Sequence, residues 1–525
     1  MTRLRIGVLD LVYKAPNRSL YARVNAPNLA SIMPQAVAAW CERAGHEVRF
    51  VCYTGREEIL EELSTDLDLL FIGAFTQAGQ LAYALSNLFR SHGTVTVLGG
   101  PHARCYPDDA RKYFDYVLGF TDEAIISDVL RDCVPHRPLG VHLSADRQPD
   151  RLPGVRERWK YIEPTLAKAL TRLRGAPMLG SLGCPYTCSF CIDSTVAHRP
   201  VPSEQIREDL RFLLEETSVR WVAWHDPNFG VRFEECLTAI EEADRSREIS
   251  HVAESSLSLL SEPRLKRLRD AGFKALLPGI ESWYTLGNKS RTRSTIGMAK
   301  VERVAEHVNL ILRYIPYVQT NFVLGLDVDE GAEPFELTKR FLDRTPGAFP
   351  GFSLLSAFGE AAPLNLEFQR EDRVLGFPFH FLNNNHAMNV RPKNYAWNEF
   401  YDLVIDLTKY SFSRRSIARR AAGTQLGFST FMNLIRAISS EGFGRIRYYS
   451  ELRARLETDR ALREYFEGET EEIPSFYVER VRAELGPFWE WLPEGALRHD
   501  PKAYLRKVNG SRPPEVLKAA AGAAS

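Results

Sequence analysis

Between residues 3 and 135 the chain alternates short apolar runs with amphipathic stretches. "LRIGVLD", "EVRFVCY", "LDLLFIGAF", "TVTVLGG" and "DYVLGF" are rich in β-branched and aromatic residues and are bounded by polar residues or glycine, as strands are. Between the first two, Met33, Val37, Trp40, Cys41 and Ala44 recur at i, i+4, i+7, i+8 and i+11, which is one face of a helix. Pro34 sits in the first turn of that helix and Gly45 closes it. Apolar runs of this kind, separated by helices, predict a Rossmann-like, doubly wound parallel sheet. Ligands of such sheets lie at the carboxyl ends of the strands. Thr76, after the third strand, and Gly99 and Gly100, after the fourth, are therefore candidate binding residues.

Residues 136–175 read as a connection, with "VPHRPLG" and "RQPDRLPG" followed by a basic helical piece. A second β-and-helix series then begins. "MLGSLG", "VRWVAWH", "SHVAES", "KALLPGI", "YVQTNFVLG" and "FSLLSAF" recur with helical patterns between most pairs. In the helix over 203–216, Ser203 is a candidate N-cap, and Ile206, Leu210, Leu213 and Leu214 share a face. Six such units predict a partial (β/α)6 TIM-like barrel with its chemistry at the C-terminal ends of the strands. Beyond about 395 the pattern turns helical and charged. The expected α/β organisation is a Rossmann-like domain over 1–140, a linker over 141–175, the barrel over 176–395 and a C-terminal helical region over 396–525.

Composition narrows the function. The 525 residues carry 67 Lys plus Arg against 67 Asp plus Glu, so no basic field points to nucleic acid. No run of about 18 apolar residues marks a membrane span. "MTRLRIGVLDLVYKAP" is too short in its apolar part for a signal peptide, so a cytoplasmic protein is expected. Of the eight cysteines, Cys41, Cys52, Cys105, Cys133 and Cys236 are scattered singly and read as buried small hydrophobes.

The other three are not scattered. "SLGCPYTCSFCIDSTV" places Cys184, Cys188 and Cys191 on one loop directly after the first strand of the second series. Thiolates suit zinc and iron–sulfur clusters. A closed zinc site needs a fourth ligand, for which His198 is the nearby candidate at poor spacing. A four-iron cluster held by three cysteines instead leaves one iron open for another ligand.

The C-x3-C-x2-C loop, with Phe190 before its last cysteine, resembles the signature of the radical S-adenosylmethionine (radical SAM) enzymes. The likeness continues through "WHDPNFGVRFEECLTAIEEA", "LLSEPRLKRLRDAGFKALLPGIESW" and "TNFVLGLDVDE". "EDRVLGFPFHFLNNNHAMNVRPKNYAWNEFYDLV" resembles the tail of one large subclass, which carries an N-terminal cobalamin-binding domain. "MPQAVAAWCERAGHEVRF", "LLFIGAFTQAGQLAYAL", "VTVLGGPHA" and "YVLGFTDEAI" resemble pieces of that domain, although its cobalt-coordinating D-x-H-x-x-G motif is absent.

The resemblance implies one 4Fe-4S cluster on Cys184, Cys188 and Cys191. It implies SAM held near Phe190, Asp226, Glu254, Ser256, Glu281 and Gly325, with Asn228 a weaker candidate. It also implies a cobalamin tail near Thr76, Gly99 and Gly100, and His386 in "NNNHAMN" is a candidate for facing substrate. The implied reaction is reductive SAM cleavage to a 5′-deoxyadenosyl radical, followed by methylation of a carbon centre of a small-molecule natural product or lipid. Ring formation, oxidation or rearrangement is the alternative use of the radical, and a non-catalytic iron–sulfur or zinc protein the alternative class. A reductase with flavodoxin, or a ferredoxin, is the implied electron donor.

Overall fold

The computed structural model describes residues 3–17, 19–135, 139–284, 295–383, 387–423 and 427–510. In the N-terminal third, β1 (Arg5–Leu11), β2 (Glu47–Tyr53), β3 (Leu69–Ala74), β4 (Val95–Gly99), β5 (Tyr116–Leu118) and β6 (Val141–Leu143) form one sheet. Its order is β2-β1-β3-β4-β5-β6, and every pairing is parallel. Ile6 through Leu11 of β1 are all buried, because helices cover both faces. Ile6 and Val8 pack with Trp40 of the helix Ile32–Arg43, whereas Leu9 and Leu11 pack with Leu81 and Leu85 of the helix Gly79–Ser91. Each such side chain removed from water contributes about 1.5–3 kcal/mol. The order reverses at β1, so a crevice opens beyond the carboxyl ends of β1 and β3.

The second sheet is built from β7 (Gly175–Met178), β10 (Trp221–Trp224), β11 (Ser250–Ser256), β12 (Phe273–Glu281), β13 (Tyr317–Leu324) and β14 (Phe349–Leu354). Between the first two of these, β8 (Ser181–Leu182) and β9 (Arg199–Pro200) form a small antiparallel pair. The large sheet runs β14-β13-β12-β11-β10-β7, all parallel, each strand laid beside its predecessor, as in a partial six-stranded barrel. Its inner and outer faces differ. Along β13 and β14 buried residues alternate with half-exposed Gln319, Asn321, Val323, Gly351 and Ser353, which face the lumen.

Three details differ from the sequence reading. β6 lies inside the stretch expected as a linker and pairs with β5. The first barrel strand is Gly175–Met178, ahead of "MLGSLG", which instead supplies the turn into β8. Ser203 is the first residue of the helix Ser203–Glu216, with Pro202 at the cap position and no side-chain cap bond.

Helices from Trp397 to Leu485 wrap the barrel end. The aromatics of "FPFHF" and "NYAW" form buried packing there, with Phe377, Phe379 and Phe381 at 1% exposure or less. "GPFWEW" is half-buried, and Trp491 O accepts a hydrogen bond from Asn87 of the N-terminal domain. Cys41, Cys52, Cys105 and Cys236 are buried as expected; Cys133 is half-buried.

Candidate active site

The three-cysteine loop is held at its base before any metal is considered. Ser181 and Leu182 pair with Pro200 and Arg199, closing the segment into a hairpin. Gly183 adopts φ +67° at the pinch, and a Cβ there would lie 2.5 Å from Ala197 O. Only glycine fits such a place. Cys184 is buried and its N–H reaches Val196 O at 3.4 Å. Cys188 and Cys191 are half-buried, joined by Cys191 N–H donating to Cys188 O at 2.9 Å. The N–H of Asp193 points at Cys191 Sγ at 3.4 Å.

Other elements grip the loop from outside. Leu364 N–H donates to Ser189 O at 2.9 Å. Tyr186 Oη lies 3.1 Å from Ser258 Oγ, which in turn lies 3.3 Å from Ser256 Oγ at the end of β11. The chain Tyr186–Ser258–Ser256 therefore ties the cysteine loop to a barrel strand.

Asp226 follows β10 and is buried beneath the loop's lead-in. Its carboxylate accepts from Gly180 N–H at 2.9 Å and from Ser181 Oγ at 2.8 Å. Burial pushes its carboxyl up to about 6, against the pull of those hydrogen bonds. Asp226 is thus engaged in holding the turn between β7 and β8.

On β11, Glu254 and Ser256 lie on the lumen row. Glu254 is exposed, whereas Ser256 is buried and its N–H donates to Asn228 Oδ1 at 2.9 Å. Asn228 Nδ2 is buried without a hydrogen-bond partner, an orphaned donor beside the rim.

Glu281 ends β12 with φ +67°, an uncommon conformation for a residue with a side chain. The register with β13 shifts between Gly279 and Glu281. A Cβ on Gly279 would lie 2.2 Å from Glu281 Oε1, so the carboxylate folds back over its own strand. Lys300 supports the turn beyond it, donating to Ser282 O at 2.6 Å and Tyr284 O at 3.1 Å. Burial lowers that ammonium to about 8, partly offset by Glu281.

Gly325 needs its left-handed conformation (φ +84°), and a Cβ there would meet Met388 Sδ at 2.9 Å and Phe400 Cε2 at 3.0 Å. The C-terminal packing layer thus approaches Gly325 closely. His386 lies outside the described residues.

Two cavities lie over the strand ends, where the domains meet. One, about 410 Å³, brings Phe190, Cys191 and Glu281 of the barrel opposite Phe75, Thr76 and Gln77 of the N-terminal domain. Apart from Glu281 its walls carry no formally ionised side chain, and Leu355, Phe358 and Leu382 make them largely apolar. The other, about 320 Å³, is an apolar cleft at the carboxyl ends of β1, β3, β4 and β5, reaching from Gly99 and Gly100 to Leu182 and Gly183. A Cβ on Gly99 would meet nothing within 4 Å, so the strand end faces open space. Thr76 was expected beside Gly99 and Gly100. It lines the other cavity, because the chain turns from β3 into a 3-10 turn over Thr76–Ala78 that carries it toward the barrel.

The donor set suits the groups that the sequence implied. Three cysteines on one gripped loop fit an iron–sulfur cluster with an open position. The rim of Glu254, Ser256, Glu281 and the orphaned Asn228 amide fits a polar zwitterion. The cleft fits a bulky apolar tail. Among the described residues no three His, Cys, Asp or Glu side chains converge as a single metal ion requires. Tyr186, Ser258, Lys300 and the helix Pro101–Cys105 act through contacts distant in the chain and have no local signal, whereas Gly279 acts on Glu281 two residues away within "PGIE".

Residues 178–341 match the radical SAM superfamily. Over 374 residues the chain is 22% identical to a bacteriochlorophyllide d C-12(1)-methyltransferase of Chlorobaculum tepidum, covering 70% of this chain and 80% of that protein. Over 291 residues it is 26% identical to a hopanoid C-2 methylase of Rhodopseudomonas palustris, covering 53% of each. Among solved structures, TsrM of Kitasatospora setae, a radical SAM methyltransferase with cobalamin and a [4Fe-4S] cluster bound, superposes with a TM-score of 0.57 at 13% identity, covering 88% of this chain and 99% of that one. The cobalamin-dependent radical SAM enzyme OxsB superposes at 0.56 and 13% identity, covering 98% and 82%. Residues 178–341 are a radical SAM domain, and with a Rossmann-like domain ahead of the barrel the chain has the fold of TsrM and OxsB.

Proposed function

We propose that this chain is a cobalamin-dependent radical SAM methyltransferase acting on a carbon centre of an uncharged, largely apolar small molecule. The observation that carries this reading is the cavity in which Phe190, Cys191 and Glu281 face Phe75, Thr76 and Gln77, beside the cleft at Gly99 and Gly100. When bound, the cluster with SAM supplies a 5′-deoxyadenosyl radical, and cobalamin supplies the methyl group.

The protein's own part is positioning and exclusion of water. Cys184, Cys188 and Cys191 hold the cluster and leave one iron free. Glu281, Glu254, Ser256 and the Asn228 amide orient the polar end of SAM, while Phe190 offers its ring and backbone to the adenine. Asp226 acts one layer below, fixing the lead-in of the cysteine loop. Gly99 and Gly100 would admit the cobalamin tail. Thr76 and Phe75 lie on the wall facing the barrel. The apolar walls favour a substrate that is a natural product or lipid, in keeping with the pigment and hopanoid named for the relatives. Electrons come from a flavodoxin or ferredoxin. Scattered, mostly buried single cysteines suit the reducing cytoplasm, and no described helix is long and apolar enough to cross a membrane.

Anaerobic reconstitution tests this directly. The expected result is about four iron per chain, retained hydroxocobalamin and 5′-deoxyadenosine formed from SAM under a strong reductant. Zinc in place of iron, or an intact cluster that never cleaves SAM, overturns the radical chemistry. A protein that cleaves SAM but retains no cobalamin overturns methyl transfer by this route.

A further inference from the structure

The helix Pro101–Cys105 leaves β4 at Gly99 and Gly100, and its fourth residue, Arg104, reaches across the domain boundary. The guanidinium donates to Ile192 O at 2.9 Å and faces Asp193 Oδ1 at 3.6 Å. It stacks 5.2 Å over the ring of Phe120, and its side chain is 18% exposed. Ile192 and Asp193 are the two residues after Cys191, and the Asp193 N–H is the one aimed at Cys191 Sγ. One side chain of the N-terminal domain therefore fixes the backbone that feeds a hydrogen bond to the third cysteine. The helix itself has little freedom. Cys105 O accepts from Glu360 N–H at 2.8 Å, and a Cβ on Gly359 would lie only 1.7 Å from Cys105 O, so backbone meets backbone.

We infer that Arg104 is a positioning residue that sets the reduction potential of the cluster on Cys184, Cys188 and Cys191, and that couples this potential to occupancy of the cleft at Gly99 and Gly100. The inference rests on the cluster reading above. A cluster held by three thiolates gains negative charge when it accepts one electron without a proton. Hydrogen bonds to its sulfurs and nearby positive charge favour that reduced form. Without Arg104, the Asp193 carboxylate stands uncompensated two residues from Cys191, and the aim of its N–H is no longer fixed. Both changes lower the potential. The same helix begins at the floor of the cleft, and Asp193 lies on the cleft's far wall, so a ligand there presses on both ends of the Arg104–Asp193 pair.

The experiment titrates anaerobically reconstituted wild type, Arg104→Lys, Arg104→Met and Asp193→Asn with titanium(III) citrate, each titanium ion giving one electron to the cluster. Reduced cluster is followed by electron paramagnetic resonance. At a fixed potential, Arg104→Met is expected to show a reduced-to-oxidised ratio about tenfold below wild type, a midpoint lower by about 59 mV for a one-electron couple. Arg104→Lys keeps the charge but not the fork and falls between them. Asp193→Asn moves the midpoint upward. Hydroxocobalamin shifts the wild-type midpoint and shifts that of Arg104→Met less.

An Arg104→Met protein with full iron and an unchanged midpoint overturns the potential-setting role. Equal cobalamin shifts in both proteins, or none, overturn the coupling. If Arg104→Met holds no iron, Arg104→Lys and Asp193→Asn decide: opposite displacements support the inference and coincident midpoints overturn it. A wild type that assembles no cluster is a failure of the functional reading, visible before any variant is compared.

Discussion

The two six-stranded parallel sheets solve different problems with similar strands. In the first, Ile6 through Leu11 are buried without interruption, because helices seal both faces and ligands meet only the strand ends. In the second, the pattern of β13 and β14 alternates, since one face lines a lumen and the other packs under helices. The open sheet thus offers a cleft at its edge, and the barrel offers an interior. Each also carries a buried carboxylate at a strand end that accepts the N–H of a site loop. Asp10 of β1 takes Ser31 N–H at 2.6 Å, and Asp226 after β10 takes Gly180 N–H at 2.9 Å. Burial raises both to about 6. Two unrelated sheets use the same device to pin the loop beside the ligand.

If the regions are chemically separable, the largest effect comes from Cys188→Ala. It should abolish the cluster and reduce SAM cleavage to background while leaving hydroxocobalamin retention intact. Loss of both, measured by iron content and visible absorbance, would break the separation. The converse variant is Gly99→Leu, whose side chain enters the cleft without a backbone clash. Cobalamin affinity should fall more than tenfold, about 1.4 kcal/mol, with full iron and normal SAM cleavage. Equal binding by wild type and variant would move the tail elsewhere.

The smallest effect tests the shared device. A carboxyl raised from 3.8 to about 6 on folding favours its proton in the folded state. Its contribution is present below pH about 4 and is lost as pH rises through about 6. Asp10→Asn and Asp226→Asn lack this loss. Relative to wild type, each should gain stability between pH 4.5 and 7, by up to about 3 kcal/mol at one pKa unit per 1.36 kcal/mol. Urea unfolding midpoints report it, and a difference independent of pH would refute the assignment.

Much of this organisation was legible in the residues. "EVRFVCY" is β2 to the residue, and the helix over Ile32–Arg43 follows from Met33, Val37, Trp40 and Cys41. The cysteine loop announced its chemistry by spacing and by its place near the first barrel strand. What stayed hidden has physical causes. β7 reads "GAPM", with weak strand propensity and a proline tolerated because β7 is an edge strand. β8 and β9 are two residues each, below any periodicity. Arg104 meets Ile192 across 88 positions, which no local pattern encodes. Gly325 was singled out through the resemblance as a SAM-side residue, and its packing against Met388 and Phe400, far on in the chain, was not legible. Asp226 was singled out only as a SAM-side residue, and its burial and its partners Gly180 and Ser181 were not legible.

The pinch at Gly183, with β8 paired to β9, also bears on how the protein matures. The ends of the loop are closed by the polypeptide itself, so the entropy of closing the loop that carries the three thiols is lost during folding rather than at metal capture. A carrier that delivers an intact cluster therefore meets a receptacle already shaped, and transfer reduces to ligand exchange at Cys184, Cys188 and Cys191. Closure of the loop then belongs to the folding of the chain, and ligand exchange at the thiols to metallation.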